Sequence, residues 1–340
     1  MTPWAERGLT LLVALAGLGL ALLVGLPLPA LFGPMLACLA AALLGAPLRG
    51  LPPATTAART VLGVAVGASV TPAILPELPE MALSLALVPF YVLLIGLVGV
   101  PFFRRACGMD RTTAFFAAMP GGATDMVLLG QEAGADARAL SLTHATRVAV
   151  IVAAAPILLA VAYGTSLDRP LGEAITDIPP RELALMAAAA VAGLLIGQRI
   201  GLFGAPILGP LAVTLPLSLA GLLHHRPPAE ALLAAQFVLG VAISVHYRGV
   251  TARELSRTVL AAVAFCLILA LLAAAVAEAV LLLGLAPPVE AFLAFAPGGQ
   301  AEVAVLAIVA GADLGFVVTH HLLRILVVLL AAPLLARLLR

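Results

Sequence analysis

The feature that most constrains the fold is a helix-breaking segment that occurs twice inside apolar sequence. The first copy, Met119–Asp125, is Met-Pro-Gly-Gly-Ala-Thr-Asp, and the second, Ala296–Glu302, is Ala-Pro-Gly-Gly-Gln-Ala-Glu. In both copies a Gly-Ala-Asp and then a His-x-x-Arg follow at matching distances. Chance rarely keeps so many special residues in register, so this pattern indicates an internal duplication.

The sequence around both copies has the composition of a membrane protein. Of its 340 residues 63% are hydrophobic and 10% are charged, and the mean hydropathy is +1.17. A soluble domain carries about a quarter charged residues. We therefore predict an all-α polytopic membrane protein. The net charge of +1 gives no basis for nucleic-acid binding, so the expected partners are a small-molecule solute and the lipid bilayer.

Apolar runs and breakers divide the chain into about ten to twelve helical segments. We predict a first membrane repeat at 1–163, a linker at 164–181 and a second membrane repeat at 182–340. Ala-Gly-Leu at 16–18 recurs at 192–194. The N-terminal apolar run therefore belongs to the duplicated unit, and we expect it to be part of the mature protein rather than a signal peptide.

The distribution of Arg predicts that the two repeats have opposite orientations. The loop at 71–80 has two Glu and no Arg, whereas its counterpart at 248–257 has three Arg. The loop at 104–111 has three Arg, and its counterpart at 281–290 has none. Because positive loops face the cytoplasm, equivalent loops are expected on opposite sides of the membrane. This is an inverted repeat, and it requires an odd number of crossings, about five in each half.

One apolar segment in each half must then fail to cross the membrane completely. The Pro-Gly-Gly segment itself could bend into a re-entrant hairpin. Alternatively, the short second segment of each half, at 30–46 and 204–223, could be the one that does not cross. Counting charges favours the first arrangement, and both stay open from the sequence.

The breaks themselves are the candidate binding site. Pro and Gly should end a helix near 120–122 and again near 297–299. In hydrocarbon an interrupted helix is tolerated only where it is buried in protein or lines a cavity, and matched interruptions in two halves mark transporter sites. The backbone amides exposed at the restarted half-helices could bind an anion or a carboxylate. They belong to Gly121, Gly122, Gly298 and Gly299.

Charged residues close to the breaks extend this candidate site. Arg147 and Arg324 lie deep in apolar helices, where an Arg costs at least a few kcal/mol and is seldom idle. Each could clamp an anion or form a structural ion pair. Asp125 and Glu302 stand in the first turn after each break, where they could cap the half-helix dipole, bind H⁺ or Na⁺, or pair with the arginines.

Polar residues beside these charges complete the prediction. His144 and His321 each precede an Arg by three residues, which places each pair on one helical face. They could relay protons or simply pack, and His320 must point elsewhere. Thr124 and Gln300 lie between the glycines and the acids. No metal-ligand spacing is present, so we expect no cofactor beyond a coupling ion, H⁺ or Na⁺, and no enzymatic activity.

The stretches PGGATDMVLLGQEAGADARALSLTHATRVAV and PGGQAEVAVLAIVAGADLGFVVTHHLLRILVV resemble the duplicated unit of the AbrB membrane-protein family. The second copy is closest to the family pattern PGG-x-x-E, GAD, HHxxR. The first copy departs from it with Asp125 and a single His144. The breaks are also similar to those of bile-acid/sodium symporter and cation–proton antiporter folds, which implies alternating access around discontinuous helices. A homodimer is common in these related folds.

Three functions are compatible with this resemblance. A secondary transporter of a small anion or organic acid accounts for the duplication, the breaks and the buried charges together. A membrane regulator of gene expression, acting through a partner, is the alternative implied by names that family members carry. Other members are named as ammonia monooxygenases, but six scattered His and three Cys do not supply clustered metal ligands.

Overall fold

The computed structural model describes the backbone of residues 2–72, 74–167, 170–202 and 204–338, with side chains except at 123–125, 301, 329 and 332–338. Within these residues the regular structure is helical, which confirms the all-α prediction. The α-helices are α1 (Pro3–Leu23), α2 (Pro29–Leu43), α3 (Pro52–Ser69), α4 (Ile74–Cys107), α5 (Arg111–Ala118), α6 (Ala123–Glu132), α7 (Ala137–Tyr163), α8 (Pro180–Arg199), α9 (Ala205–Leu219), α10 (Ala229–Ser244), α11 (Ala252–Glu254), α12 (Leu260–Leu282), α13 (Pro288–Phe295), α14 (Gln300–Ala310) and α15 (Leu314–Leu338).

Within the described residues, 6 helical stretches are long and apolar enough to cross a membrane. They are Pro3–Leu23, Ile74–Cys107, Ala137–Tyr163, Pro180–Arg199, Ala229–Tyr247 and Ala252–Leu282. The last two include a 3₁₀ turn and a π-helical turn that extend α10 and α12. Helix α4 is 34 residues long and continues through three internal prolines, Pro79, Pro89 and Pro101.

Both predicted helix breaks are present. In the first copy α5 ends at Ala118 and the chain restarts as α6 at Ala123. In the second copy α13 ends at Phe295 and α14 starts at Gln300. The residues between are extended, with φ −62° and ψ 133° at Met119. The missing backbone N–H of Pro and the low helix propensity of Gly account for these interruptions.

The helices form two compact units, each of which takes segments from both halves of the chain. Unit 1 comprises Met1–Pro72 and Leu167–Val250, and unit 2 comprises Ala73–Ser166 and Thr251–Arg340. The predicted repeats at 1–163 and 182–340 describe the duplication along the sequence, which is a different division, and their boundaries stay a prediction. Both Pro-Gly-Gly segments belong to unit 2.

Glycines allow the helices of unit 1 to approach closely. A Cβ added at Gly17 of α1 would overlap the carbonyl of Gly33 in α2, and a Cβ at Gly193 of α8 would overlap that of Gly209 in α9. Similarly, Gly240 of α10 faces the Leu31 carbonyl of α2, with 2.5 Å between an added Cβ and that oxygen. Such small-residue contacts are typical of helix packing in membranes.

A buried glutamate near the start of α1 and another near the start of α8 tie the helix ends of unit 1 together. The Glu6 carboxylate accepts hydrogen bonds from Arg248 at 3.0 and 3.1 Å and from Arg49 at 3.5 Å. The Glu182 carboxylate accepts the backbone amides of His224 and His225 at 2.9 and 3.1 Å and contacts both imidazoles. A buried carboxylate near a helix start is therefore bound by arginines in the first half of the chain and by histidines in the second.

In unit 2 each broken segment folds back as a hairpin. The amide of Asp136, which follows α6, donates to the hydroxyl of Thr113 in the first turn of α5 at 3.0 Å. The amide of Asp313, which follows α14, donates to the carboxylate of Glu290 in the first turn of α13 at 3.2 Å. The first arm of each hairpin therefore begins beside the point where the second arm ends, and we call this open end the mouth of the hairpin. An arm of eight residues, as in α5, is about 12 Å long, less than half the ~30 Å thickness of the hydrocarbon core.

The two hairpins open at opposite ends of unit 2. At one end, Arg138 of α7 binds Glu254 of α11 at 2.8 Å, close to the mouth of the α5–α6 hairpin. The last residue of α4, Cys107, lies there too, 3.3 Å from the Arg257 carbonyl. The first residue of α4, Ile74, contacts Gly315 at the start of α15, next to the mouth of the α13–α14 hairpin. Helices α4 and α12 are consequently antiparallel.

Candidate functional site

Each break is held by one buried arginine from the helix that follows it. The Arg147 guanidinium donates to the Met119 and Gly121 carbonyls, both at 2.8 Å. Arg324 makes the equivalent bonds, to the carbonyls of Ala296 at 2.6 Å and Gly298 at 2.9 Å. The two arginines are only 3% and 2% exposed. Both arginines therefore supply donors to carbonyls that the helix break leaves without intrahelical partners.

The opposite side of each break is more accessible. Gly122 and Gly299, the N-cap residues of α6 and α14, are half-buried, whereas Gly121 and Gly298 are buried. The amides in the first turn of a helix carry a positive partial charge and attract anions. The arginine thus closes the carbonyl side of the break, and the half-helix N-terminus lies towards the accessible side.

Glu302 lies on the accessible side of the second break. Its side chain is half-buried and folds over Gly299, so that a Cβ added at Gly299 would overlap the carboxylate. It also interacts electrostatically with Arg147 of the first half. Glu302 therefore lies over the N-terminus of α14, within electrostatic range of Arg147, in a half-buried position.

His321 positions Arg324 and is held as the neutral tautomer. Its Nε2 lies 2.9 Å from the Leu293 carbonyl, which can only accept. Its Nδ1 lies 3.1 Å from a guanidinium nitrogen of Arg324, which can only donate. A second proton on His321 would have to displace the arginine, so this geometry favours positioning over proton transfer.

The other two predicted histidines differ in their surroundings. His320 faces α4, with Nδ1 2.8 Å from the Phe316 carbonyl and Nε2 3.0 Å from the Ser84 hydroxyl. His144, the counterpart of His321, is buried beside the Phe116 carbonyl without meeting hydrogen-bond geometry. The structure therefore brings His144 and His321 to the breaks and places His320 against a neighbouring helix.

The first break is less completely described than the second. The side chains of Thr124 and Asp125 lie outside the described residues, so their predicted roles stay predictions. Gln300 begins α14 and is 9% exposed, and its amide nitrogen has no hydrogen-bond partner among the described residues. An ion pair between Asp125 and Arg147 stays a prediction, and the partners that the structure shows for Arg147 are carbonyl oxygens.

Two polar residues of α4 reach this site and were absent from the sequence prediction. Ser84 contacts His320, as described above, and the Tyr91 ring packs edge-on against Phe295, with centroids 5.7 Å apart. Both lie in a predicted apolar span without counterparts in the repeat, so the duplication did not point to them. A polar residue within an apolar span was the one available signal, and it does not show which way the side chain faces.

The mouth of the first hairpin contains an ionised carboxylate outside the apolar helices. Asp110 caps α5, accepting the Thr113 amide at 2.9 Å and the Thr113 hydroxyl. Partial burial raises the pKa of Asp110, but hydrogen bonds from Thr113 and neighbouring amides outweigh it and hold the pKa below its ordinary value. Asp110 therefore stays charged at neutral pH and orients the hydroxyl that closes the hairpin.

Comparison with known proteins assigns the chain to a family. The family described as "Transition state regulatory protein AbrB" matches residues 30–340. The chain belongs to the AbrB family. The match covers both breaks and the helices α7 and α15, which carry Arg147 and Arg324. It confirms the resemblance that the two Pro-Gly-Gly units indicated. The six long apolar helices make this AbrB-family chain a membrane protein.

Two relatives of this AbrB-family chain have comparable length. "Putative regulator AbrB" of Escherichia coli (strain K12) is 27% identical over 324 residues, which cover 93% of this chain and 91% of the relative. "Uncharacterized protein YhjN" of Bacillus subtilis (strain 168) is 27% identical over 292 residues, covering 80% of this chain and 75% of the relative. The similarity therefore extends well beyond the repeated motif.

Proposed function

We propose that this AbrB-family protein is a secondary active transporter of a small organic anion, coupled to H⁺ or Na⁺ and working by alternating access. The observation that supports it is the paired hairpin break, closed on its carbonyl side by a buried arginine and half-exposed at its helix N-terminus. Discontinuous helices with N-termini at mid-membrane serve as substrate sites in transporters. An inner (plasma) membrane location supplies the ion gradient that such a transporter needs.

The chemistry of the site favours an anion. Two half-helix N-termini and two guanidinium groups contribute positive charge. Glu302 is the described acid that interacts with Arg147, and it is accessible enough to exchange a proton. Protonation of Glu302 would remove a negative charge from the site and so favour binding of the anion. The anion and the proton would then move across the membrane in the same direction. We assign Glu302 this coupling role.

We also propose that the two halves of unit 2 are inverted repeats. The antiparallel α4 and α12 and the oppositely opening hairpins support this arrangement. The end of unit 2 at which the α5–α6 hairpin opens carries most of its arginines and would face the cytoplasm. These residues are Arg104, Arg105, Arg111, Arg138, Arg253 and Arg257.

Cysteine labelling tests this topology. In a variant without Cys38, Cys107 and Cys266, single cysteines at Glu77 and Arg253 should react with a membrane-impermeant maleimide from opposite sides of intact cells or oriented vesicles. A cysteine at Arg105 should match the one at Arg253. Reaction of Glu77→Cys and Arg253→Cys from the same side would exclude the inverted repeat.

Transport is tested with purified protein in liposomes, with labelled mono- and dicarboxylates under an imposed pH or Na⁺ gradient. We expect gradient-dependent uptake in the wild type. In Glu302→Gln we expect a reduction of about tenfold or more in the gradient-dependent rate, equivalent to ~1.4 kcal/mol. Gln keeps the size of the side chain and removes only the ionisable group.

Glu278→Gln is the matched control, because it makes the same change on an exposed face of α12. It should transport like the wild type. Equal losses in both variants would remove Glu302 from the coupling step. If no substrate shows gradient-dependent flux in the wild type, the transporter proposal fails.

The regulator alternative is carried by the family description and by the name of the E. coli relative. In that case the same site would sense a solute and pass the signal to a partner protein. Such a protein would bind the solute without moving it. Binding to purified protein together with absence of flux in liposomes would favour this alternative over transport.

A further inference from the structure

Tyr91 is a buried polar residue at the second break that the hairpins do not require. It lies in the middle of α4, is 1% exposed, and its hydroxyl has no hydrogen-bond partner among the described residues. Its ring meets Phe295 edge-on, at 84° between the planes, and Phe295 is the last residue of α13. The Tyr91 ring is therefore packed against the residue at which α13 ends.

The arginines that hold the breaks share this neighbourhood. Tyr91 lies within electrostatic range of both Arg147 and Arg324, and the two arginines lie within electrostatic range of each other. A packing contact also places the second break close to the helix of Arg147. A Cβ added at Gly298 would lie 3.2 Å from Ile151, which is one turn beyond Arg147 on α7. The two breaks, their arginines and Tyr91 thus form one cluster within unit 2.

Several unpartnered atoms of this cluster are hydrogen-bond donors. The terminal nitrogens of Arg147 and Arg324 donate to backbone carbonyls. The Nε of each arginine is buried without a partner in the described part of the chain. The same holds for the side-chain nitrogen of Gln300. Buried donors without acceptors cost free energy, so a cluster of them is suited to a ligand that brings acceptors.

Packing alone does not explain a tyrosine at position 91. In the second half the equivalent position of α12 is Ile268, so the same place in the repeat accepts an apolar side chain. Removing a hydroxyl that has no partner among the described side chains should not weaken the folded protein. The hydroxyl is therefore best explained by something that it binds.

We propose that the Tyr91 hydroxyl is a specificity-determining group that donates a hydrogen bond to a carboxylate of an organic acid bound at the second break. A carboxylate offers only acceptors and carries the charge that two guanidiniums attract, whereas an amine would bring donors to donors. This inference names the substrate class of the site and rests on the proposed transport function. Its test uses binding, so that the two can fail separately.

The experiment measures thermal unfolding of the purified full chain in detergent, with and without acetate, benzoate, succinate or citrate. Benzamide and chloride serve as a neutral analogue and a simple anion. We expect at least one carboxylate to raise the wild-type midpoint in a concentration-dependent manner, and benzamide and chloride not to do so. In Tyr91→Phe the ligand-free midpoint should be unchanged or higher. The carboxylate concentration needed for the same shift should rise about tenfold.

Tyr163→Phe is the matched control, because it removes a hydroxyl near the exposed end of α7 and should respond to carboxylates like the wild type. A lower ligand-free midpoint in Tyr91→Phe with an unchanged carboxylate response would show that the hydroxyl is structural and overturn the inference. An equal carboxylate response in Tyr91→Phe and wild type, or none in the wild type, would also overturn it. Carboxylate binding that depends on Tyr91 without flux in liposomes would sustain the inference and reject transport.

Discussion

Arg324→Leu should be one of the most destabilising single substitutions in this protein. The leucine is apolar and can remain buried, but the carbonyls of Ala296 and Gly298 lose their donor. A buried carbonyl left without a partner costs about 1–3 kcal/mol, so the two together should cost about 2–6 kcal/mol. His321 would also lose the donor to its Nδ1. The midpoint of thermal unfolding in detergent is the measurement.

Two further variants separate the lost hydrogen bonds from the lost charge. Arg324→Lys keeps the charge, but a single ammonium cannot reproduce the fork that reaches two carbonyls, so an intermediate loss is expected. Arg104→Leu, at the exposed end of α4, should change the midpoint little. If Arg324→Leu and Arg104→Leu were equally mild, the arginine would not be holding the break.

Gly17→Ala should destabilise unit 1, although alanine is the better helix former. The added methyl group would overlap the Gly33 carbonyl and lie 2.5 Å from Ala37 Cβ, and the backbone of α2 cannot rotate away as a side chain can. Overpacking of this kind typically costs about 1–3 kcal/mol, and more where backbone must move. The measurement is again the midpoint of thermal unfolding.

The matched control lies two residues away on the same helix. At Gly19 an added Cβ would have nothing within 4 Å, so Gly19→Ala should leave stability unchanged or raise it by up to about 1 kcal/mol through helix propensity. Gly193→Ala on α8 should repeat the loss seen at Gly17, since it faces Gly209 in the same way. Similar effects of Gly17→Ala and Gly19→Ala would argue against the close approach of α1 and α2.

The location of the breaks could be predicted because their cause is local. Pro120 and Pro297 have no backbone N–H to donate in any structure, and the adjacent glycines lower the helix propensity further. The spacing between His321 and Arg324 similarly predicted one helical face, and the two side chains are in hydrogen-bond contact in the structure. Each of these inferences needs only residues within one or two helical turns.

The partners of the arginines could not be predicted in the same way. The sequence suggested an anion or a carboxylate, and the structure shows main-chain carbonyls for both. A carbonyl oxygen is present at every residue and leaves no mark in the sequence. Which of them face an arginine depends on how each hairpin folds back against α7 or α15.

Sequence alone is sufficient to predict an all-helical membrane protein with two interrupted helices, because hydropathy and helix breaking are local and additive properties. Only the tertiary structure shows that two compact units each combine pieces of both halves. Only the structure, likewise, brings Tyr91 of α4 beside Phe295 of α13. Contacts between residues so far apart in the chain arise from packing, and a side chain such as Tyr91 has the same local sequence signal whether it faces lipid or a binding site.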